Sequence, residues 1–299
     1  MTDRDNGSSR GRAFALVGAS YVVALAAAYV VVRWLAPHVP GGALGLTFAA
    51  DFAATCAVFA FSVAFSNSSF YDAYWSVAPL ALAPWWITLG PSANGARQWL
   101  VVALVSLWGL RLTWNWARGW TGLGHEDWRY VRIREKTGAL YWPASFFGIH
   151  LFPTVLVFLG CLPLWPALVT SPAPLGPLDA VAALVTGGAI LIEGTADQQL
   201  RAFVLSKPPH GTILKTGLWR YARHPNYFGE LSFWWGLTLF GVAAGPLPWW
   251  GFSGAAVMTA LFVFISGPML DQRSLERRAG YREHMRRTSM LIPLPPRDG

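Results

Sequence analysis

Residues 21–32 read Tyr21-Val22-Val23-Ala24-Leu25-Ala26-Ala27-Ala28-Tyr29-Val30-Val31-Val32, the middle of an apolar run from 13 to 35 whose only charge is Arg33. A helix of about 20 apolar residues crosses the roughly 30 Å hydrocarbon core of a bilayer. The run is long for a signal peptide and ends in Val-Val-Arg-Trp rather than small residues, so it reads as a span and not as a cleaved leader. Further runs of this kind lie at 43–65, 74–90, 98–116, 144–169, 178–200, 227–245 and 248–270. The third is short and holds Pro79 and Pro84, which leaves a kink or an incomplete crossing open.

Composition agrees with the runs. Hydrophobic residues make up 54% of the 299 and charged residues 13%, against about 25% in a soluble domain. The 17 tryptophans suit a chain with two membrane interfaces. The expected fold class is therefore all-α, a polytopic membrane bundle of about eight helices over 13–270. A disordered cytoplasmic N-terminus (1–12) precedes it, and a basic cytoplasmic tail (271–299), loose from Pro293 on, follows.

The charges orient the bundle. With the N-terminus in the cytoplasm, all but Arg33, Arg97 and Arg111 of the 23 Lys plus Arg fall in cytoplasmic segments. The expected location is an inner membrane of bacterial type with both termini cytoplasmic. The net charge of +8 is then an orientation signal, and no nucleic-acid partner is expected. Cys56 and Cys161 lie inside apolar runs and read as small buried hydrophobes. The histidines, His150 among them, show no pair at ligand spacing, so no metal is expected. Oligomeric state is not encoded in any pattern.

Ionisable groups in spans cost free energy and mark function. Glu193, Asp197 and Arg201 share one helix face at steps of four. They are either an intrahelical salt bridge or the polar wall of a cytoplasmic cavity. Asp51 stands alone, a packing group or a site residue. The densest segment is Thr216 to Glu230. Pro225 suits the first turn of the seventh span, whose free N–H groups, beside Arg220, Arg223 and His224, favour phosphate or carboxylate. Asn226, Tyr227 and Glu230 continue the polar face. Glu193, Asp197, Asn226, Tyr227 and Glu230 are expected to line one cavity.

The string Arg223-His224-Pro225-Asn226-Tyr227-Phe228-Gly229-Glu230, after Gly217-Leu218-Trp219-Arg220-Tyr221 and before Trp234-Trp235-Gly236, resembles the steroid 5-alpha-reductase-like family, in particular its uncharacterised membrane branch. Asn67 to Trp75, Leu110-Arg111-Leu112, Glu126-Asp127-Trp128-Arg129-Tyr130, Ala196-Asp197-Gln198 and the tail from Tyr281 to Pro293 carry the same resemblance. It implies NADPH bound from the cytosolic side and reduction of a carbon–carbon double bond conjugated to a ketone, in a hydrophobic steroid- or isoprenoid-like lipid. By resemblance Asp197 and Asn226 match cofactor-contacting positions, and Glu193 falls where the reductases carry an Asn; with Arg201, Arg220, Tyr221, Arg223, His224, Tyr227 and Tyr281 they make up the candidate cofactor set. Glu230 matches a Glu of the family four residues after the Asn. The family's carbonyl-binding acid has no clear equivalent, Asp72 being the nearest candidate, and Asp72, Tyr130 and Glu230 are the candidate catalytic residues. The sequence departs from the pattern at Trp108, where the reductases carry a Tyr three residues before an Arg, here Arg111. Isoprenylcysteine and phospholipid methyltransferases, which use S-adenosylmethionine, share the Arg-His-Pro-x-Tyr-x-Gly string. That activity, and a non-enzymatic lipid-binding or transport role, are the alternatives.

Overall fold

A computed structural model describes residues 3–38 and 42–297, with side chains from Arg10 on. Residues 1–2 of the expected disordered N-terminus and 298–299 of the expected loose tail lie outside them. The helices are α1 (Asp3–Leu35), α2 (Ala43–Ala64), α3 (Tyr74–Leu89), α4 (Gly95–Gly119), α5 (Trp128–Thr137), α6 (Tyr141–Ser145), α7 (Phe152–Cys161), α8 (Pro177–Leu205), α9 (Pro225–Ala244), α10 (Ser253–Leu261), α11 (Gly267–Arg277) and α12 (Tyr281–Arg287). No strand occurs among the described residues. The fold is an all-α membrane bundle.

Six helical stretches are long and apolar enough to cross a membrane: Arg10–His38, Ala43–Ala64, Gly95–Gly119, Trp128–Cys161, Pro177–Leu205 and Trp249–Arg277. The other two expected spans form helices that differ in kind. α3 is unbroken by its prolines but has only 16 residues, about 24 Å of rise. α9 has 20 residues, 12 of them buried, Glu230 among them, so protein rather than lipid surrounds most of the helix. α1 is the opposite case, with Val22, Leu25, Tyr29, Val30 and Trp34 all exposed.

Several boundaries move. The polar leader expected to be disordered is helical from Asp3. The last span runs to Arg277, so Asp271, Arg273 and Ser274 stand on a helix and not in a tail. The fifth apolar run lies in a helical stretch from Trp128 to Cys161, whose first, charged part is the polar α5 ahead of the apolar run. Two spans contain π-helical turns, Phe146–Leu151 and Phe262–Ser266. Pro153 and Pro268 follow two residues beyond each. Proline lacks the N–H and crowds the carbonyl four residues back, and a widened turn relieves both.

The chain divides into two compact units, Met1–Leu82 with Gly109–Phe158, and Ala83–Trp108 with Leu159–Gly299. In the first, α1 packs along α2 through small side chains, with Ala13, Val17, Ala24, Ala54 and Val58 buried beside Phe70, Tyr71 and Trp120. Hydroxyls join α2 to the helix that carries His150. Thr55 meets Thr154 at 2.9 Å, and Ser62 meets His150 Nε2 at 3.0 Å, so His150 is a bonded core residue. The Tyr74 hydroxyl donates to Asp51 at 3.0 Å, which makes Asp51 a satisfied packing group.

In the second unit α8 and α9 pack tightly where glycines remove side chains. A Cβ on Gly229 would stand 2.6 Å from the Cβ of Glu193, and one on Gly236 would meet Thr186. Thr186 and Glu193 are seven apart, as are Gly229 and Gly236, and such small-residue seams let helices approach in a membrane. At the N-terminus of α8, Asp179 holds the wholly buried Arg97 by two bonds of 2.7 and 2.9 Å. Arg97 also donates to the carbonyls of Ala173 and Pro174. Removing one partner leaves a buried charge. Arg97→Ala or Asp179→Ala alone should lower unfolding stability by about 3–5 kcal/mol, whereas Arg97→Met with Asp179→Leu should recover most of it. Thermal unfolding in detergent of the two single variants and the double variant checks this, and additive losses would refute it.

Candidate functional site

The segment before α9 is fixed locally first. Gly217 takes a φ of 60° against the Gln199 side chain, where any Cβ would collide. Gln199 Oε1 accepts from the Leu218 N–H at 2.9 Å, and the Trp219 indole donates to the Ala196 carbonyl at 3.0 Å. The loop is thereby tied to α8. Pro225 occupies the first turn of α9. The Tyr227 N–H donates to Asn226 Oδ1 at 3.1 Å and the Phe228 N–H to the His224 carbonyl at 3.2 Å. The helix-start donors expected to grip an anion are thus largely used within the turn.

Arg223 is also committed. Its guanidinium donates to Asp271 at 3.1 and 2.7 Å and to the carbonyls of Met285 and Thr288. His224 Nε2 lies 3.1 Å from Asp271, and the Tyr281 hydroxyl donates to the same carboxylate at 2.7 Å. Asp271 therefore gathers the start of α9, helix α11 and helix α12. The backbone repeats the closure. Arg223 and His224 N–H groups donate to the carbonyls of Ser289 and Met290 at 2.8 and 3.0 Å, and Leu294 donates to Tyr221 at 3.1 Å. The tail expected to be loose is pinned at Leu294 and again at Arg297.

Around this latch lies a cavity of about 320 Å³. Arg223, His224, Asn226, Tyr227 and Tyr281 line it; of these, Asn226 and Tyr227 are the two that the sequence placed on a common cavity wall. Leu270, Arg273, Ser274 and Arg277 come from one face of α11, followed by Arg278. α8 gives Leu200 and Phe203, and Trp219 closes the apolar side. The Arg278 guanidinium is steadied by Ser274 Oγ at 3.0 Å. The Tyr227 ring stacks beside His224, with centroids 5.4 Å apart, and meets Phe262 edge-on. The chemistry offered is that of an anion with flat rings: guanidinium groups on one wall, aromatic faces on the others.

Other expected residues stand apart. Asn226 Nδ2 donates to Asp197 Oδ1 at 3.3 Å, so Asp197 backs the cavity without lining it. Glu193 is buried against Gly229. Glu230 is buried and accepts from the indoles of Trp108 and Trp234 at 3.0 and 2.7 Å. Neither glutamate lines the cavity, which corrects the expectation of one common wall. Nor do Arg201 on α8, the exposed Arg220, or Tyr221, over whose ring Arg220 lies at 5.9 Å. Arg273, Ser274, Arg277 and His284 were missed because a boundary at 270 put them in a tail. Leu270, Arg273, Ser274 and Arg277 have the spacing of one helix face, the signal that finds those three polar residues, whereas His284 stands on α12 and carries no such signal.

Asp72 and Tyr130 belong to the first unit, where the Tyr130 hydroxyl donates to Asp72 at 2.9 Å. The two motifs that carry them interlock. Glu126 accepts from the Ser68 N–H at 2.7 Å and binds Arg134, and the Asn67 amide donates to the Leu123 and His125 carbonyls. Burial pushes the Asp72 carboxyl up to about 6, against the lowering hydrogen bonds from Tyr130 and Ser69.

Asp271→Ala should strand the Arg223 guanidinium, cost about 3–5 kcal/mol, and expose Arg286 and Arg287 to trypsin. Acid should loosen the same latch. Burial, with Lys215 and Arg223 beside it, lowers the His284 imidazole from the usual 6.5 to about 4. The unfolded chain binds that proton more tightly, so stability is present above pH 6.5 and is lost as pH falls toward 4. Limited proteolysis and denaturant unfolding across pH 4–8 check both. A pH profile unchanged in His284→Asn protein would refute the second.

An uncharacterised protein of Schizosaccharomyces pombe is 28% identical to this chain over 258 residues, which cover 78% of the chain and 74% of that protein. No solved structure matches the chain. The family described as "Protein of unknown function (DUF1295)" matches residues 58–288, a stretch that includes the interlocked motifs of the first unit and the Asp271 latch of the second. On that match the chain belongs to the DUF1295 family, the steroid 5-alpha-reductase-like grouping of membrane proteins.

Proposed function

We propose that the protein is an NADPH-dependent reductase of a conjugated carbon–carbon double bond in a hydrophobic lipid. The observation that carries the reading is the Asn226–Asp197 pair standing at the wall of an arginine- and aromatic-lined cavity. The donor set fits the cofactor. Arg273, Arg277 and Arg278 have the planar fork that grips phosphate oxygens in pairs, and a 2′-phosphate adds a group for them to hold. Trp219 and Tyr227 offer faces to flat rings. Asn226, oriented by Asp197, offers an amide to a polar ring substituent. When bound, NADPH supplies a hydride.

The chain's own contribution is binding, orientation and proton supply. Asp72 is proposed, with Tyr130, as hydrogen-bond and proton donor to a carbonyl oxygen. With its carboxyl raised to about 6, about a tenth stays protonated at pH 7, and more as pH falls. Glu230, enclosed by two indoles, is proposed as a positioning group for α9 rather than a reacting one.

The test uses purified protein in detergent. NADPH should raise the melting temperature, by the equivalent of about 2.7 kcal/mol at a hundredfold excess over Kd. NADH should give a smaller shift, and Asn226→Ala or Arg277→Ala should remove most of it. Raised salt should weaken it. Stabilisation by S-adenosylmethionine, with no effect of millimolar NADPH, would replace the reductase reading with a methyltransferase.

The orientation proposed for the bundle places this cavity and both termini in the cytoplasm, on the segregation of Lys and Arg. Alkaline phosphatase fused after Pro174 should be active, and fused within 129–137 silent. The reverse pattern at both sites would overturn the orientation.

A further inference from the structure

Beyond α12 the chain closes on itself. The Arg297 N–H donates to the Arg287 carbonyl at 2.9 Å, which brings together two arginines ten residues apart in sequence. The closed loop bounds a second cavity, of about 270 Å³, which shares only Arg223 with the first. Arg286, Arg287 and Arg297 line it, with the hydroxyl residues Thr288 and Ser289 between them. Met290, Leu294 and Pro295 give it apolar surface.

Its charge is unbalanced. Glu283 is the acid at hand, 2.6 Å from Arg287 and 3.7 Å from Arg286. Hydrogen bonding to Arg287, with Arg286 and Lys215 nearby, holds the Glu283 carboxyl below the usual carboxylate range. Among the described residues no acid pairs with Arg297. Loop closure thus brings three arginines and Ser289 to the wall of one cavity, with Arg287 also held by Glu283 and the Thr288 hydroxyl by His284 at 3.2 Å. A phosphate group has the charge and the acceptor oxygens to satisfy such a set. The Arg223 guanidinium does not compete, since Asp271 and two carbonyls occupy it.

The loop begins ten residues after the membrane-crossing stretch Trp249–Arg277, and Ile292 and Leu294 beside it are exposed. Basic clusters next to a membrane helix draw anionic lipid. We infer that the loop from Arg287 to Arg297 is a binding site for a phosphate group, and that its source is the headgroup of an anionic lipid.

The experiment measures melting temperature of the full chain in neutral detergent, titrated with short-chain phosphatidylglycerol, phosphatidylcholine or inorganic phosphate. Phosphatidylglycerol should stabilise. Arg286→Gln with Arg297→Gln should weaken its apparent affinity roughly tenfold or more, as loss of charge-assisted bonds does. Arg277→Gln, in the other cavity, should leave it unchanged, so this outcome is separable from that of the NADPH test. Arg297→Lys should restore most of the effect, which separates charge loss from misfolding. Equal stabilisation by inorganic phosphate, lost in the same double variant, keeps the phosphate site but overturns the lipid as its source. Equal stabilisation by phosphatidylcholine, or a phosphatidylglycerol response unchanged in the double variant, overturns the site.

Discussion

One carboxylate organises the candidate site. Asp271 accepts from three side chains on two segments, the neighbours Arg223 and His224 before α9 and Tyr281 on α12. A buried carboxylate needs several donors, and buried guanidinium and imidazole groups need an acceptor. The three donors and Asp271 satisfy one another, so the start of α9, helix α11 and helix α12 become one body. The cavity beside them inherits its shape from that closure. It inherits its charge from the arginines of α11 and Arg278, which the closure leaves facing the opening.

The family motifs divide into parts that hold and parts that face open space. In the first unit the Asn67–Asp72 and Glu126–Tyr130 motifs bind each other, and much of their polarity closes a loop. In the second, Arg223 and His224 hold, while Asn226 and Tyr227 face the cavity. Gly229 and Glu230 fit α9 into its surroundings. The glycine lets α8 approach, and the glutamate receives the two indoles that would otherwise be buried donors. Trp108, which lacks the hydroxyl of the reductase pattern, has its own role as one of those donors and stacks on Phe233 at 4.5 Å.

Much of the bundle was legible in the sequence because lipid makes one demand everywhere. Backbone groups must be satisfied inside each segment, so long apolar runs have to be helices. Runs such as 13–35 and 43–65 met that demand plainly. The runs 74–90 and 227–245 are helices as well, α3 and α9, although α3 has only 16 residues and 12 of the 20 in α9 are buried in protein, which hydropathy does not register. The end of the last span was missed for a related reason. Asp271 and Arg273 lower local hydropathy as a tail does, yet a partner meets Asp271 from outside the helix.

By itself, then, the sequence determined the class of fold, most of the spans, and the polar segment around Pro225, since these rest on composition and local spacing. Tertiary structure alone decided which polar groups are used up and which are offered. Arg223 and Arg277 are the same residue type in similar basic surroundings. One is saturated by Asp271 and two carbonyls, and the other lines the cavity. That difference is set by what lies opposite each guanidinium once the chain has folded back. Spacing along the chain carries no record of it, because hydrogen bonds between distant segments depend on positions in space.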